Sequence, residues 1–259
     1  MSETAAAPTA FRRQPPPTWD LTVVDATQLT FRMRRVTVTG ELAGFTWRPA
    51  QDLALMLPQP DGTTARRHYT IRAYDPATRR LDIDVVLHGA SPAGDWARDA
   101  RPGDTLQAAG PRGRTVLDPE ADWHLFTGDE TCLPGVFAML EQLPAGAKAI
   151  AFLEVEDEGE KQAVETAADL DLTWIIRNGP IQPGSPALIE AFASLTFPAG
   201  RGQAYVIGET STVQQQRRGL LARGWEKTAI AAEGYWRPGR VGGHDHVFDA
   251  EDRPRFMRA

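Results

Sequence analysis

The sequence predicts two unlike halves, an antiparallel β-barrel followed by a parallel-sheet α/β domain. Three observations predict this. Short β-prone runs broken by turn residues fill the first half, strands and helices alternate in the second, and a Gly-Pro-Arg-Gly-Arg stretch at 110–114 separates the two styles.

In order, the β-prone runs are Leu21–Val24, Phe31–Val38, Leu53–Leu57, His68–Tyr74 and Leu81–Leu87, with Gly40, Pro58, Asp61-Gly62 and Asp75-Pro76 as the breaks. A short helix over Pro92–Ala100 has its proline suited to the first turn. Gly103-Asp104 then turns into a sixth strand, Thr105–Ala109. About six strands with one helix suggest a small closed barrel. Beyond it, strands at Trp123–Thr127, Ala149–Val155, Leu172–Ile176 and Ala204–Ile207 alternate with helices at Leu133–Leu143, Glu160–Leu170, Ser185–Leu195 and Thr212–Arg223. That spacing is the pattern of βαβ units. Lys227–Tyr235 reads as a last, edge strand. These readings divide the chain into a disordered lead (1–18), a barrel domain (19–118), an α/β domain (119–240) and a tail (241–259).

Composition narrows the classes. The chain has 259 residues, 42% hydrophobic and 24% charged, enough to bury a sizeable core. A single cysteine, Cys132, excludes an internal disulfide framework and four-cysteine clusters, and reads as a small buried hydrophobe. With 28 basic and 34 acidic residues, the net charge of −6 argues against a nucleic-acid partner. No apolar run approaches the roughly 18 residues of a membrane span, and the lead lacks the apolar stretch of a signal peptide, so a cytoplasmic location is expected. His244-Asp245-His246 lacks a third ligand nearby and reads as an exposed turn, so no metal site is expected.

The residues with chemical character cluster in a few segments. Arg67-His68-Tyr69-Thr70-Ile71-Arg72 lies on a strand, so Arg67, Tyr69 and Ile71 share one face and Thr70 and Arg72 the other. An aromatic ring, a hydroxyl and a cation on one strand suit a flavin: platform, donor near its N5, and partner for its phosphates. An ordinary surface strand with the same residues is the alternative. Asp84 to Gly89 ends the next strand just before Ser91-Pro92-Ala93-Gly94-Asp95-Trp96-Ala97, a turn into a helix whose free N–H groups suit a pyrophosphate. A plain strand–turn–helix connection is the alternative there.

Taken in order, Arg67-x-Tyr-Thr-x-Arg72, Asp84-x-Val86-x-His88-Gly89, Trp96-Ala97, Gly110-Pro-Arg-Gly113, Gly128-Asp-Glu-Thr-Cys-Leu-Pro134, Trp174-Ile-Ile-Arg177, Gly208-Glu209 and Gly234-Tyr-Trp-Arg-x-Gly-Arg240 resemble the siderophore-interacting family of FAD-dependent ferric-siderophore reductases. The similarity spans Trp19 to Arg240. It implies a Greek-key FAD-binding barrel joined to an NAD(P)H-binding domain, in the manner of ferredoxin reductases. It also implies that Arg67, His68, Tyr69, Thr70 and Arg72, with Asp84, Val86, His88, Trp96 and Ala97, hold FAD. Gly128, Asp129, Glu130 and Thr131, with Gly208 and Glu209, would approach the nicotinamide nucleotide and the flavin edge, Thr70 and Thr131 lying nearest the chemistry. The family has Ala where this chain has Cys132.

The expected activity moves electrons from NADPH or NADH through FAD to Fe(III) in a siderophore, with ferredoxin as an alternative donor. The same motifs would serve a flavin reductase with oxygen, a quinone or a redox protein as acceptor. Arginines near the flavin would meet an anionic ferric chelate; Arg48, Arg72, Arg237 and Arg240 are the candidates, with Arg237 and Arg48 expected to contribute most. Two opposed cues bear on the donor. The acidic run Glu154-Val-Glu-Asp-Glu158 favours a ribose hydroxyl, whereas Arg177 could hold a phosphate.

Overall fold

The computed structural model describes residues 15–240 except 90, 192 and 194, together with 245–246. The lead up to residue 14, His244 and most of the tail lie outside the described residues.

Six strands close the barrel: β1 (Thr18–Gln28), β2 (Met33–Gly40), β3 (Asp52–Pro58), β4 (Thr64–Asp75), β5 (Arg80–Val86) and β6 (Thr105–Arg112). Their circular order, β1-β2-β5-β4-β3-β6, is a Greek key with antiparallel neighbours. Alternation fills the interior. Leu21 and Val23, Val36 and Val38, Leu53, Leu55 and Leu57, Ile71, and Leu81, Ile83 and Val85 form one cluster. Helix α1 (Pro92–Asp99) packs Ala93 and Ala97 into that cluster; its Ser91 cap accepts from the Gly94 N–H at 3.1 Å.

The second half is a six-stranded sheet: β7 (Trp123–Gly128), β8 (Lys148–Val155), β9 (Asp169–Ile176), β10 (Gly202–Glu209), β11 (Ile230–Trp236) and β12 (Asp245–His246). The order is β12-β11-β10-β7-β8-β9, parallel throughout except for β12. Helices α3 (Pro186–Ala191) and α4 (Thr210–Ala222) cover one face through Leu188, Val213 and Leu220. Helix α2 (Leu133–Gln142) covers the other. Residues 133–140 of α2 are all buried because the barrel closes over it: Met33, Ala50 and Val86 share its cluster with Val136, Met139 and Leu140. This apolar helix is therefore the shared wall of the two halves.

Three expectations need correction. The helix expected over Glu160–Leu170 does not form; a 3-10 turn at Glu158–Glu160 leads to residues without helix or strand, and β9 begins at Asp169. Helical propensity is worth only tenths of a kcal/mol per residue, and here tertiary partners outweigh it. The Glu160 carboxylate accepts from Thr30 Oγ1 at 2.5 Å and the Arg32 N–H at 3.0 Å on the barrel, Thr166 Oγ1 donates to Leu140 O at the end of α2, and Val164 and Ala168 pack into the shared core. The helix expected at Ser185–Leu195 shortens to six residues, with the Ser185 hydroxyl drawn into a carboxylate contact described below. The expected edge strand is not the edge, because Asp245 and His246 pair with Gly234 and Glu233; those two tail residues form a strand where an exposed turn was expected.

Candidate active site

The strand order of the sheet reverses between β7 and β10, and open α/β sheets bind ligands beyond the carboxyl ends of the strands at such a point. Two glycines let the strand ends close up there. A Cβ on Gly128 would lie 1.9 Å from Ile207 O, and one on Gly208, whose φ is +140°, would lie 2.5 Å from Asp129 Oδ2. Asp129 organises the floor. Its Oδ1 accepts from Thr131 N at 2.9 Å and Thr131 Oγ1 at 2.5 Å, and its Oδ2 from Glu209 N at 2.7 Å and Trp236 Nε1 at 3.1 Å. Burial and the neighbouring Glu130 charge outweigh those hydrogen bonds and push its carboxyl up to about 6.

Beside it, Glu130 forms a two-point ion pair with Arg177, at 2.8 and 2.5 Å, and Glu154 Oε2 lies 3.4 Å from the same guanidinium. Glu154 Oε1 accepts from Ser185 Oγ at 2.5 Å, and burial raises its carboxyl. Across the crevice, Glu209 caps α4. It accepts from the amides of Ser211, Thr212 and Gly184 and from both hydroxyls, Ser211 Oγ and Thr212 Oγ1. Burial would raise Glu209, but these donors hold it below the usual carboxylate value. Cys132 is fully buried, and burial with Asp129 and Glu130 nearby raises its thiol, so it packs as a small hydrophobe.

The barrel wall facing α2 carries β4 with the alternation expected. Ile71 enters the core and Tyr69 packs against it, burial pushing the phenol up to about 12. Thr70, 6% exposed, faces the other way; its methyl lies 3.4 Å from where a Cβ on Gly135 of α2 would sit. The Thr70 hydroxyl is hydrogen-bonded with Tyr235 of β11, whose phenol is pushed well up by burial and by Glu233. Arg72 forks onto Glu141 of α2 and stands 3.9 Å from Asp84.

Other expected residues are spent within the protein. Asp84 takes both prongs of Arg35 at 2.7 and 2.8 Å, and His68 Nδ1 lies 2.8 Å from Asp52 Oδ1. Val86 belongs to the shared core, and Trp96 packs on the barrel core. Ala97 is fully buried, its side chain packed among barrel residues. His88 and Gly89 remain exposed beside α1, with Gly89 at φ +48° and its carbonyl accepting from Arg98 at 2.6 Å. Among the described residues, Arg67 is bonded through Nη1 to Arg66 O, leaving most of its guanidinium for a ligand. Arg48, Arg237 and Arg240 are exposed.

Four residues were not assigned roles from the sequence: Tyr235, Trp236, Arg35 and Glu141. The first two stand within the Gly234–Arg240 motif, which was the available signal; Arg35 and Glu141 are pairwise contacts that no local pattern announces.

Residues 60–115 match the model of the siderophore-interacting FAD-binding domain, and residues 121–239 that of the siderophore-interacting protein. Ferric vibriobactin reductase ViuB of Vibrio cholerae is 35% identical over 186 residues, 70% of this chain and 68% of ViuB. The chain belongs to the siderophore-interacting protein family. A siderophore utilization protein from T. fusca has a similar structure, with a TM-score of 0.82 and 35% identity over 90% of this chain and 97% of that one. The NADPH-dependent ferric-chelate reductase of Escherichia coli is 27% identical over 240 residues, 84% of this chain and 92% of its own. Ferredoxin-NADP+ reductase from Plasmodium falciparum, 11% identical with a TM-score of 0.68 over 84% of this chain and 96% of its own, shares the fold alone. The barrel and sheet of this family member are thus ferredoxin-reductase-like.

Proposed function

We propose that this protein is an FAD-dependent ferric-siderophore reductase, passing electrons from NAD(P)H to Fe(III) in a siderophore and releasing Fe(II). The observation that carries this is the meeting of β4 with α2 and β11. It sets the Thr70 hydroxyl between Gly135 and Tyr235, where the barrel's FAD motif meets the nucleotide crevice.

The residues present fit FAD. Arg67 keeps donors for a phosphate, the exposed His88-Gly89 turn runs into the N-terminal end of α1, and Tyr69 supplies an aromatic ring on the same wall. In this reading residues 19–118 hold FAD and 119–240 the nucleotide. Bound FAD supplies the conversion of a two-electron hydride donor into the one-electron transfers that Fe(III) requires. Burial keeps Tyr235 protonated at any physiological pH, and its hydrogen bond with the Thr70 hydroxyl fixes that hydroxyl where a flavin edge would meet it. Asp129 orients Thr131 and ties the ends of β7 and β10 together through Glu209 N. Substrate needs no iron ligand from the chain, only close approach and charge balance. Arg48 precedes Ala50, whose Cα lies 3.8 Å from the Gly135 Cβ position, and Arg237 and Arg240 follow Tyr235, whose hydroxyl lies 3.9 Å from it. These exposed arginines would steer an anionic chelate.

Purified protein should be yellow, bleach anaerobically with NADH or NADPH, and regain colour on adding a ferric siderophore. Reduced ferredoxin, oxygen and a quinone in the same cuvette test the other donor and acceptors. Protein that stays colourless after FAD reconstitution refutes the reading. The R48A/R237A double variant should raise KM for an anionic ferric chelate by about tenfold, near 1.4 kcal/mol, with FAD content unchanged; an unchanged KM removes both arginines from the site.

A further inference from the structure

Arg177 closes the carboxyl end of β9, and a guanidinium near that end of an open α/β sheet is what a nucleotide 2′-phosphate requires. In this chain the guanidinium is already engaged. Its Nε donates to Gly179 O at 3.0 Å, Nη1 to Glu130 Oε2 at 2.8 Å and to Glu154 Oε2 at 3.4 Å, and Nη2 to Glu130 Oε1 at 2.5 Å. The group is nearly enclosed, with side-chain exposure of 10% for Arg177, 12% for Glu130 and 2% for Glu154. Neighbouring cations are paired as well. Arg32 Nη2 is 2.5 Å from Glu156 and Lys161 Nζ is 2.6 Å from Glu158. Asp157 and Glu160 add charge with no ion-pair partner among the described residues; they accept from the backbone of Gly159 and of Arg32.

A 2′-phosphate entering here would bring about two negative charges to carboxylates that already own the local cations, and would have to displace one of them. A 2′-hydroxyl has the opposite fit, because a carboxylate accepts its proton directly. We infer that the Glu130–Arg177–Glu154 triad makes this protein select NADH over NADPH, by neutralising from within a guanidinium placed to meet the 2′-phosphate. This rests on the reductase reading and names which nucleotide feeds it. The arginine is kept for structure, holding the Glu130 loop against the end of β9.

The test is direct binding to the FAD-loaded protein, measured calorimetrically with NAD+ and NADP+ near 0.1 M salt. NAD+ should bind tighter by about tenfold or more, a difference near 1.4 kcal/mol. E130Q keeps the side-chain shape but sets an amide against the guanidinium. It should tighten NADP+ by about fivefold or more relative to NAD+. E154Q reaches the same triad from its other side and should move the ratio in the same direction, so a fold failure in one variant leaves the other to decide. Equal or tighter NADP+ binding by wild type, ratios unmoved in both variants, or no binding of either nucleotide overturns the inference. Re-oxidation of photochemically reduced flavin by a ferric siderophore reads the reductase reading separately, since it needs no nucleotide.

Discussion

Asp84 decides between two jobs that sequence alone could not separate, holding the cofactor or holding the barrel wall. In the structure both its oxygens are taken by Arg35, at 2.7 and 2.8 Å, with its side chain 2% exposed and Arg72 standing 3.9 Å away. Asp84→Asn keeps the shape and removes the charge. One prong of Arg35 then faces an amide donor, and Arg72 loses a countercharge. Breaking a fully buried pair typically costs about 3–5 kcal/mol. Arg35 is 28% exposed, so solvent recovers part of that and about 2–3 kcal/mol is the expected loss. For a chain of this size each kcal/mol moves Tm by about 2–4 °C, giving a drop of about 5–10 °C. The assay is thermal unfolding at saturating FAD, paired with FAD binding by fluorescence quenching. Affinity should weaken less than about threefold, within ~0.7 kcal/mol. A Tm unchanged within about 2 °C, with FAD affinity down tenfold or more, would refute the reasoning and return the carboxylate to the cofactor.

Three further outcomes follow from other contacts. Tyr235→Phe removes the hydroxyl bonded with Thr70, and should slow anaerobic flavin reduction in a stopped-flow instrument by about tenfold, a cost near 1.4 kcal/mol; conserved rates would detach Tyr235 from the chemistry. Gly208→Ala places a methyl 2.5 Å from Asp129 Oδ2 at φ +140°, so urea unfolding should show a loss of about 3 kcal/mol and nucleotide binding should fail with it. His124 is buried beside the stacked rings of Phe126 and Tyr205, and burial lowers its pKa below 6.5. The unfolded chain therefore binds the proton more readily, and stability falls as pH drops below about 6.5. His124→Phe should flatten that part of the stability curve. Asp129 acts in the opposite sense: its stabilising share is full below about 3.8 and is lost as pH rises through about 6.

Much of this molecule was legible because its signals are local. Alternation over Leu53–Leu57 and Leu81–Val85 located barrel strands, and Gly128 and Gly208 marked strand ends that must approach closely. The same period-2 rule turned Thr70 and Arg72 away from Ile71, as the structure has them. What stayed hidden were choices made between distant residues. Nothing in Glu160–Leu170 shows that Glu160 would be drawn to Thr30 and Arg32, 130 and 128 positions away, leaving its helix unformed. Nothing local showed that Ala97 would turn its side chain into the barrel core. Arg177 looked like a free phosphate partner because Glu130 is far from it in sequence and beside it in space.

Glu209 places a negative charge at the N-terminal end of α4, where five donors already close on it. That helix end is in effect pre-loaded with its own anion. Any phosphate drawn to that helix end would have to displace an intramolecular carboxylate held there at very high effective concentration.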